Sequence, residues 1–143
     1  MRIVFNPAPM TSDVCHYPLG LVDIFVLNEI EAEILTGKTN LSDLSECMRQ
    51  RFPNAATVLT LGGRGAMYFD ANSMHRQAAY PVEVADTTAA GDTFIGYFLA
   101  ELLLSGDPAK ALEMGCLAAA ISVSRAGASD SIPSRHELAI TKP

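Results

Sequence analysis

The sequence predicts an α/β protein built on a largely parallel sheet, and three observations carry that expectation. Short apolar runs of strand length alternate with segments that have helix start and stop signals. One run, Val22 to Leu27, is nearly continuous in apolar character, as a strand covered on both faces must be. No repeat, low-complexity tract or linker interrupts the alternation, so residues 1–143 are expected to form one domain.

Each element follows from local chemistry. Ile3 to Phe5 is an apolar run halted by Asn6-Pro7-Ala8-Pro9, where two prolines remove backbone donors and force an extended exit. After the strand Val22 to Leu27, Asn28 is placed to cap a helix carrying Ile30, Ile34 and Leu35, with Glu29, Glu31 and Glu33 early and Gly37 as its stop. Ser42 to Arg51 reads as a second helix with Ser42 as its cap, closed before Pro53, and Thr57 to Leu61 returns to strand. Gly62-Gly63-Arg64-Gly65 breaks the pattern. Ala66 to Phe69 and His75 to Tyr80 then form a hairpin about Asp70 to Ser73, at the edge of the sheet. A helix over Phe94 to Leu104 ends at Ser105-Gly106, and Pro108 opens a last long helix that runs to about Arg125 and stops before Gly127.

Composition limits the function. With 49% hydrophobic and 18% charged residues, the chain can bury a core of its own. No apolar run is long enough to cross a bilayer and no signal-like segment opens the chain, so a cytoplasmic protein without a membrane partner is expected. Ten Lys and Arg against sixteen Asp and Glu give a net charge of −6 with no basic block, which argues against nucleic acid. Cys15, Cys47 and Cys116 are widely spaced and suit reduced thiols rather than disulfides or a zinc site.

The most informative segment is Asp86-Thr87-Thr88-Ala89-Ala90-Gly91-Asp92, where small residues and a glycine precede a helix. Backbone N–H groups at such a helix start can face an anion. Gly91 clears the closest approach and Asp92 sets a carboxylate among the donors, although an acid in the first turn can equally be a dipole-favoured cap. The Gly62 to Gly65 loop fits neither phosphate-loop nor dinucleotide spacing; it is a tight turn or a loop along nucleotide phosphates with Thr60 and Arg64. Asn28 and Glu31 are a cap and a surface acid, or a pair that holds hydrated Mg²⁺.

Taken together, Asn6-Pro7-Ala8-Pro9, NEIEAEILTG from Asn28, TLGGRGA from Thr60 to Ala66, DTTAAGDTF from Asp86 to Phe94 and AAISVSRAGASDSIP from Ala119 to Pro133 resemble the ribokinase-like (PfkB) family of carbohydrate kinases. DTTAAGDTF is highly specific for that family, and the likeness covers almost the whole chain. It implies a Rossmann-like three-layer α/β/α fold and ATP-dependent phosphorylation of a sugar's primary hydroxyl, with D-ribose as the expected substrate. Asp92 matches the family's catalytic base, and Ala89, Ala90 and Gly91 match its anion hole. Asn28 and Glu31 match the pair associated with Mg²⁺ and phosphate; Thr60, Gly62 and Gly65 match the nucleotide loop. Asp86, Thr88, Arg125, Gly127 and Ser131 fall near the loops that hold a monovalent cation, usually K⁺. Ala118 to Ser124 should flank the adenine, with Cys116 standing where many relatives carry Asn or His.

The resemblance is to the C-terminal half of family members, the half that binds ATP. The expectation is therefore that the sugar-binding half and lid lie outside this sequence. A sheet divided in that way exposes an edge, so self-association or pairing with a separate N-terminal half is expected. A nucleotide-binding protein or fragment without independent kinase activity is the competing reading.

Overall fold

The computed structural model describes residues 1–141. They contain a five-stranded mixed sheet in the order β1-β2-β3-β4-β5, formed by Val4–Phe5, Ile24–Asn28, Ala56–Thr60, Ala66–Phe69 and Met74–Gln77. The strands are accompanied by helices α1 (Glu29–Thr36), α2 (Leu41–Arg51), α3 (Ala90–Ser105), α4 (Pro108–Val123) and α5 (Arg135–Thr141). The chain divides into two compact units, one of 1–61 with 67–75 and one of 62–66 with the chain from Arg76 onward.

In the first unit, β1, β2 and β3 are parallel, with Phe5 beside Phe25 and Asn28 beside Thr60. Long connections through helices permit this arrangement. The connections from β3 to β4 and from β4 to β5 are too short for parallel crossovers, so the sheet becomes antiparallel there and the expected hairpin appears, its second strand running over Met74–Gln77 rather than on to Tyr80. Asp70 sets its turn: Oδ1 accepts from the amides of Asn72 and Ser73 at 2.8 and 2.7 Å. Arg49 of α2 donates to the carbonyls of Asp70 and Ser73, fixing that turn to the helix.

The core of this unit gathers Phe25, Leu27, Leu35, Leu44, Met48, Leu59 and Phe69, all buried. Ile30 and Ile34 do not form the inward stripe of α1; they are 70% and 47% exposed, while Glu31, Ala32 and Leu35 face inward. The cap of α2 is Asn40 rather than Ser42, because the Asn40 side chain accepts from the amides of Ser42 and Asp43.

In the second unit, α3 and α4 pack along each other, with Phe94 stacked on Phe98 at 5.8 Å between ring centroids. Gly115 of α4 permits the approach, since a Cβ there would lie 2.9 Å from two carbons of the Phe94 ring. Leu117, Ala118 and Ile121 of α4 pack with Leu138 of α5. Helix α3 begins at Ala90, four residues before the start read from the apolar run, because that run marks only the part of the helix that is rich in apolar side chains. Pro108 takes the first position of α4, as the sequence indicated, and the structure adds Asp107 as the cap before it. No described helix is long and apolar enough to cross a membrane.

Candidate functional site

Two groups of the expected site residues are defined, one in each compact unit. In the first, Asn28 ends β2 and Thr60 ends β3, and the parallel register sets them side by side at the carboxyl ends of their strands. Ligand sites of open α/β sheets form beyond such strand ends. Asn28 and Glu31 form a reciprocal capping box. Asn28 Oδ1 accepts from the Glu31 amide and Glu31 Oε2 accepts from the Asn28 amide, both at 2.9 Å. Glu31 is therefore no surface acid, being only 5% exposed. The box consumes one carboxylate oxygen and leaves the other outside that reciprocal pair. Thr60 is half-buried, with its hydroxyl 3.4 Å from the Leu27 carbonyl.

The second unit holds the remaining candidates. Gly62 and Gly65 bracket a short 3₁₀ turn and both have positive φ, 56° and 96°. Gly65 also lies against the backbone of residues 77–79, whereas nothing lies within 4 Å of a Cβ on Gly62. A structural reason is thus sufficient for Gly65 and leaves the space beside Gly62 open.

Asp86 organises the segment before α3. Its Oδ1 accepts from the Thr88 hydroxyl at 2.6 Å and the Thr88 amide at 2.9 Å, and its Oδ2 accepts from the Gly127 amide at 3.2 Å. These donors, led by the Thr88 hydroxyl, hold the carboxyl below the ordinary aspartate range. Asp86, Thr88 and Gly127, expected together from sequence, are together in the structure. The amides of Ala85 and Asp86 also donate to the Val123 carbonyl at the end of α4.

From this anchored turn the chain enters α3 with Ala89 as the N-cap, Ala90 and Gly91 in the first two positions and Asp92 third. Ala89 has no side chain with which to cap the helix. Ala90 donates to the Thr87 carbonyl at 3.2 Å, and the space around Gly91 is open. Asp92 is exposed at this helix start. The arrangement offers an accessible carboxylate next to backbone donors at the positive end of a sixteen-residue helix.

The other expected residues have internal partners. Arg125 donates to Glu137 of α5 at 2.7 Å. The Ser131 hydroxyl points inward, 2.9 Å from Ser122 Oγ and 2.7 Å from the Ala128 carbonyl. Cys116 is buried in α4, and burial pushes its thiol up to about 11. Glu137 was missed in the sequence, though its signal was present: Ser134-Arg135-His136-Glu137 is a capping box in which Glu137 accepts from the Ser134 amide at 2.7 Å. That amide, then Arg125 and the Ser134 hydroxyl, pull the Glu137 carboxyl down to about 2. Among the described residues no cluster of three or more His, Cys, Asp or Glu is arranged to hold a metal.

The family model for pfkB family carbohydrate kinases matches residues 1–135. A ribokinase of Staphylococcus aureus (strain COL) is 40% identical over 94% of this chain and 46% of its own length. The crystal structure of ribokinase from Cryptococcus neoformans var. grubii serotype A in complex with ADP is similar with a TM-score of 0.85 and 25% identity, over 98% of this chain and 52% of that one. The structure of Arabidopsis thaliana ribokinase complexed with ribose and ATP gives a TM-score of 0.79 and 27% identity, over 85% of this chain and 41% of that one. These likenesses bear out the expected α/β/α class. The chain spans about half the length of the curated relatives it matches.

Proposed function

Because the chain belongs to the pfkB family of carbohydrate kinases, we propose that residues 1–143 act as one module that binds ATP and transfers its γ-phosphoryl group to the primary hydroxyl of D-ribose, giving ribose 5-phosphate. The observation that carries this reading is the exposed carboxylate of Asp92 at an α3 start that no side chain caps. Asp92 is the general base that takes the hydroxyl proton as the oxygen attacks phosphorus. In this reading Ala89, Ala90 and Gly91 form the anion hole for the charge that develops on the transferring group, with the Ala90 amide shared with the Thr87 carbonyl. Such a reaction asks the protein mainly for positioning and charge stabilisation, so one base and one donor-lined helix start are chemically adequate.

Asn28, Glu31, Thr60, Gly62 and Gly65 are the nucleotide-binding residues in this proposal, with Cys116 near the adenine. Glu31 fits Mg²⁺ only as an outer partner: one oxygen caps α1, and no described carboxylate cluster surrounds a bare ion. Hydrated Mg²⁺, which keeps most of its waters and binds substrate phosphates, agrees with that donor set. When bound, it neutralises phosphate charge. For K⁺, Asp86 fits by joining its own turn to Gly127; Thr88, Arg125, Gly127 and Ser131 would contribute mainly carbonyls, since the Arg125 and Ser131 side chains are engaged elsewhere. The ion would add positive charge beside the anion hole.

The β1 edge, with Val4 37% exposed, is the surface through which this chain pairs with a second chain in this reading. Light scattering at micromolar concentration should show an assembly larger than 15.3 kDa. A stable monomer would remove this part of the proposal. For the chemistry itself, ADP formation is measured with ATP, Mg²⁺ and K⁺ as ribose or fructose is added, and the product is examined by phosphorus NMR. Ribose-dependent ADP with a phosphate on the primary hydroxyl is expected. Preference for fructose would overturn the ribose assignment, and no sugar-dependent ADP would overturn the kinase reading for this chain.

A further inference from the structure

Thr93, the residue after Asp92, is 2% exposed, and Ser122 and Ser131 are each 1% exposed. Their three hydroxyls form a continuous chain. Thr93 Oγ1 lies 3.4 Å from Ser122 Oγ, Ser122 Oγ lies 2.9 Å from Ser131 Oγ, and Ser131 Oγ donates to the Ala128 carbonyl at 2.7 Å. A hydroxyl has one proton to give. Ser131 spends its proton on Ala128, so the proton between Ser131 and Ser122 belongs to Ser122. Ser122 is then left as the acceptor for Thr93. The chain therefore runs in one direction, from the first turn of α3, through the last turn of α4, to a carbonyl beside Gly127.

This direction matters because the same two segments are joined a second time. Asp86 accepts from the Gly127 amide at the start of the 86–93 segment, and the hydroxyl chain reaches the 128–131 turn from its end. The Thr93 amide also donates to the Ala89 carbonyl, at 2.9 Å, so the residue that begins the chain closes the first turn around Gly91 and Asp92. Alanine or valine would fill these buried positions without any polar group to satisfy. Three hydroxyls instead fix how the first turn of α3 is held against the 128–131 turn, and burial makes a gap in such a chain costly.

We propose that Thr93 and Ser122 are positioning residues, which hold Asp92 and the Gly91 amide in place through a one-way hydroxyl chain ending on Ala128. The inference rests on the reading of the α3 start as the phosphoryl-transfer site. Thr93→Val keeps the shape and burial but removes the proton that Ser122 accepts, whereas Thr93→Ser keeps the proton and loses a methyl group. Hydrogen exchange followed residue by residue in the intact chain should show the hydrogen-bonded amides of Ala90, Thr93 and Ser131 exchanging about five- to tenfold faster in Thr93→Val, the worth of one hydrogen bond. Thr93→Ser should exchange as the wild type does in both segments while melting at a lower temperature than Thr93→Val. Ser122→Ala, which cuts the chain at its middle, should repeat the Thr93→Val pattern.

Turnover separates this from the kinase reading. If the wild type turns over ribose, kcat should fall in Thr93→Val and recover in Thr93→Ser, with KM for ATP within about twofold throughout. A wild type without turnover counts against the kinase reading alone, and exchange still decides the positioning role. Exchange that follows melting temperature across the variants, or no change at the Ala90, Thr93 and Ser131 amides in Thr93→Val and Ser122→Ala, overturns the proposal.

Discussion

Gly65→Ala should destabilise the protein more than any other single methyl group added to the glycine loop. Gly65 has φ of 96°, and a Cβ built on it would stand 2.0 Å from the Gln77 carbonyl oxygen, 2.6 Å from the Ala79 nitrogen and 2.7 Å from the Ala78 carbonyl carbon. All three are backbone atoms, so no side chain can rotate away. Left-handed backbone costs an L-residue about 1–2 kcal/mol. A forced shift of packed structure adds about 1–3 kcal/mol, so the loss should be about 2–5 kcal/mol. With a urea dependence of about 2 kcal/mol per molar, the unfolding midpoint should fall by about 1–2.5 M. Gly63→Ala is the control, because nothing lies within 4 Å of its Cβ and its φ is not in the positive range. A Gly65→Ala midpoint equal to wild type, or an equal drop in Gly63→Ala, would refute the steric argument and return Gly65 to a purely ligand-binding explanation.

Three further outcomes follow from the geometry. Asn28→Ala removes half of the capping box and should cost about 1 kcal/mol of stability in urea unfolding, while Asn28→Ser should recover most of it. The Glu137 carboxyl is held at about 2 against an ordinary 4.5, so its stabilising contribution is complete above about pH 4.5 and is lost as pH falls toward 2. Melting curves of wild type and Glu137→Gln should accordingly differ near neutral pH and converge in acid; a constant difference would contradict this. Cys116 is buried with its thiol pushed up to about 11, whereas Cys15 is exposed. Ellman's reagent near neutral pH should modify Cys15 in the folded protein and reach Cys116 only after unfolding, as peptide mapping would show.

Much of this fold was legible because local and tertiary signals agree. Asn28 before an acidic first turn, Gly37 after it, and Pro108 at the start of α4 each announce a helix end by backbone chemistry alone, and the structure places the ends there. Asp70 and Ser73 likewise mark the hairpin turn. What was not legible depends on which face a neighbour covers. The spacing of Ile30 and Ile34 looked like a buried stripe, yet the side that packs is Glu31, Ala32 and Leu35, because the capping box draws Glu31 inward. Periodicity gives a helix its faces but does not say which one is covered.

The site divides in the same way. The small-residue run before Asp92 marks the place where α3 begins without a side-chain cap, and Asp86 ties the preceding turn to Gly127. The family likeness sets Ser131 near the ion loop, but its hydroxyl is spent on Ser122 and Ala128, 9 and 3 residues away along the chain. No local pattern distinguishes a serine that turns toward a helix from one that turns toward a ligand. Thr93 and Ser122, 29 residues apart, meet only once α3 and α4 are packed. The capping box at Ser134 to Glu137 follows a local pattern that marks the start of α5, whereas the pairing of Glu137 with Arg125 arises only once α4 and α5 are packed.

The central claim is that the Asp92 carboxylate activates the sugar hydroxyl at the start of α3. Its most direct test is single-turnover phosphorylation of ribose by wild type and Asp92→Asn, with ADP affinity measured for both by calorimetry. Removal of a general base should lower the chemical rate by about 10²–10⁴, while ADP affinity and melting temperature stay at the wild-type level, since Asp92 is exposed and its amide remains. Phosphorylation by Asp92→Asn at the wild-type rate would contradict the account.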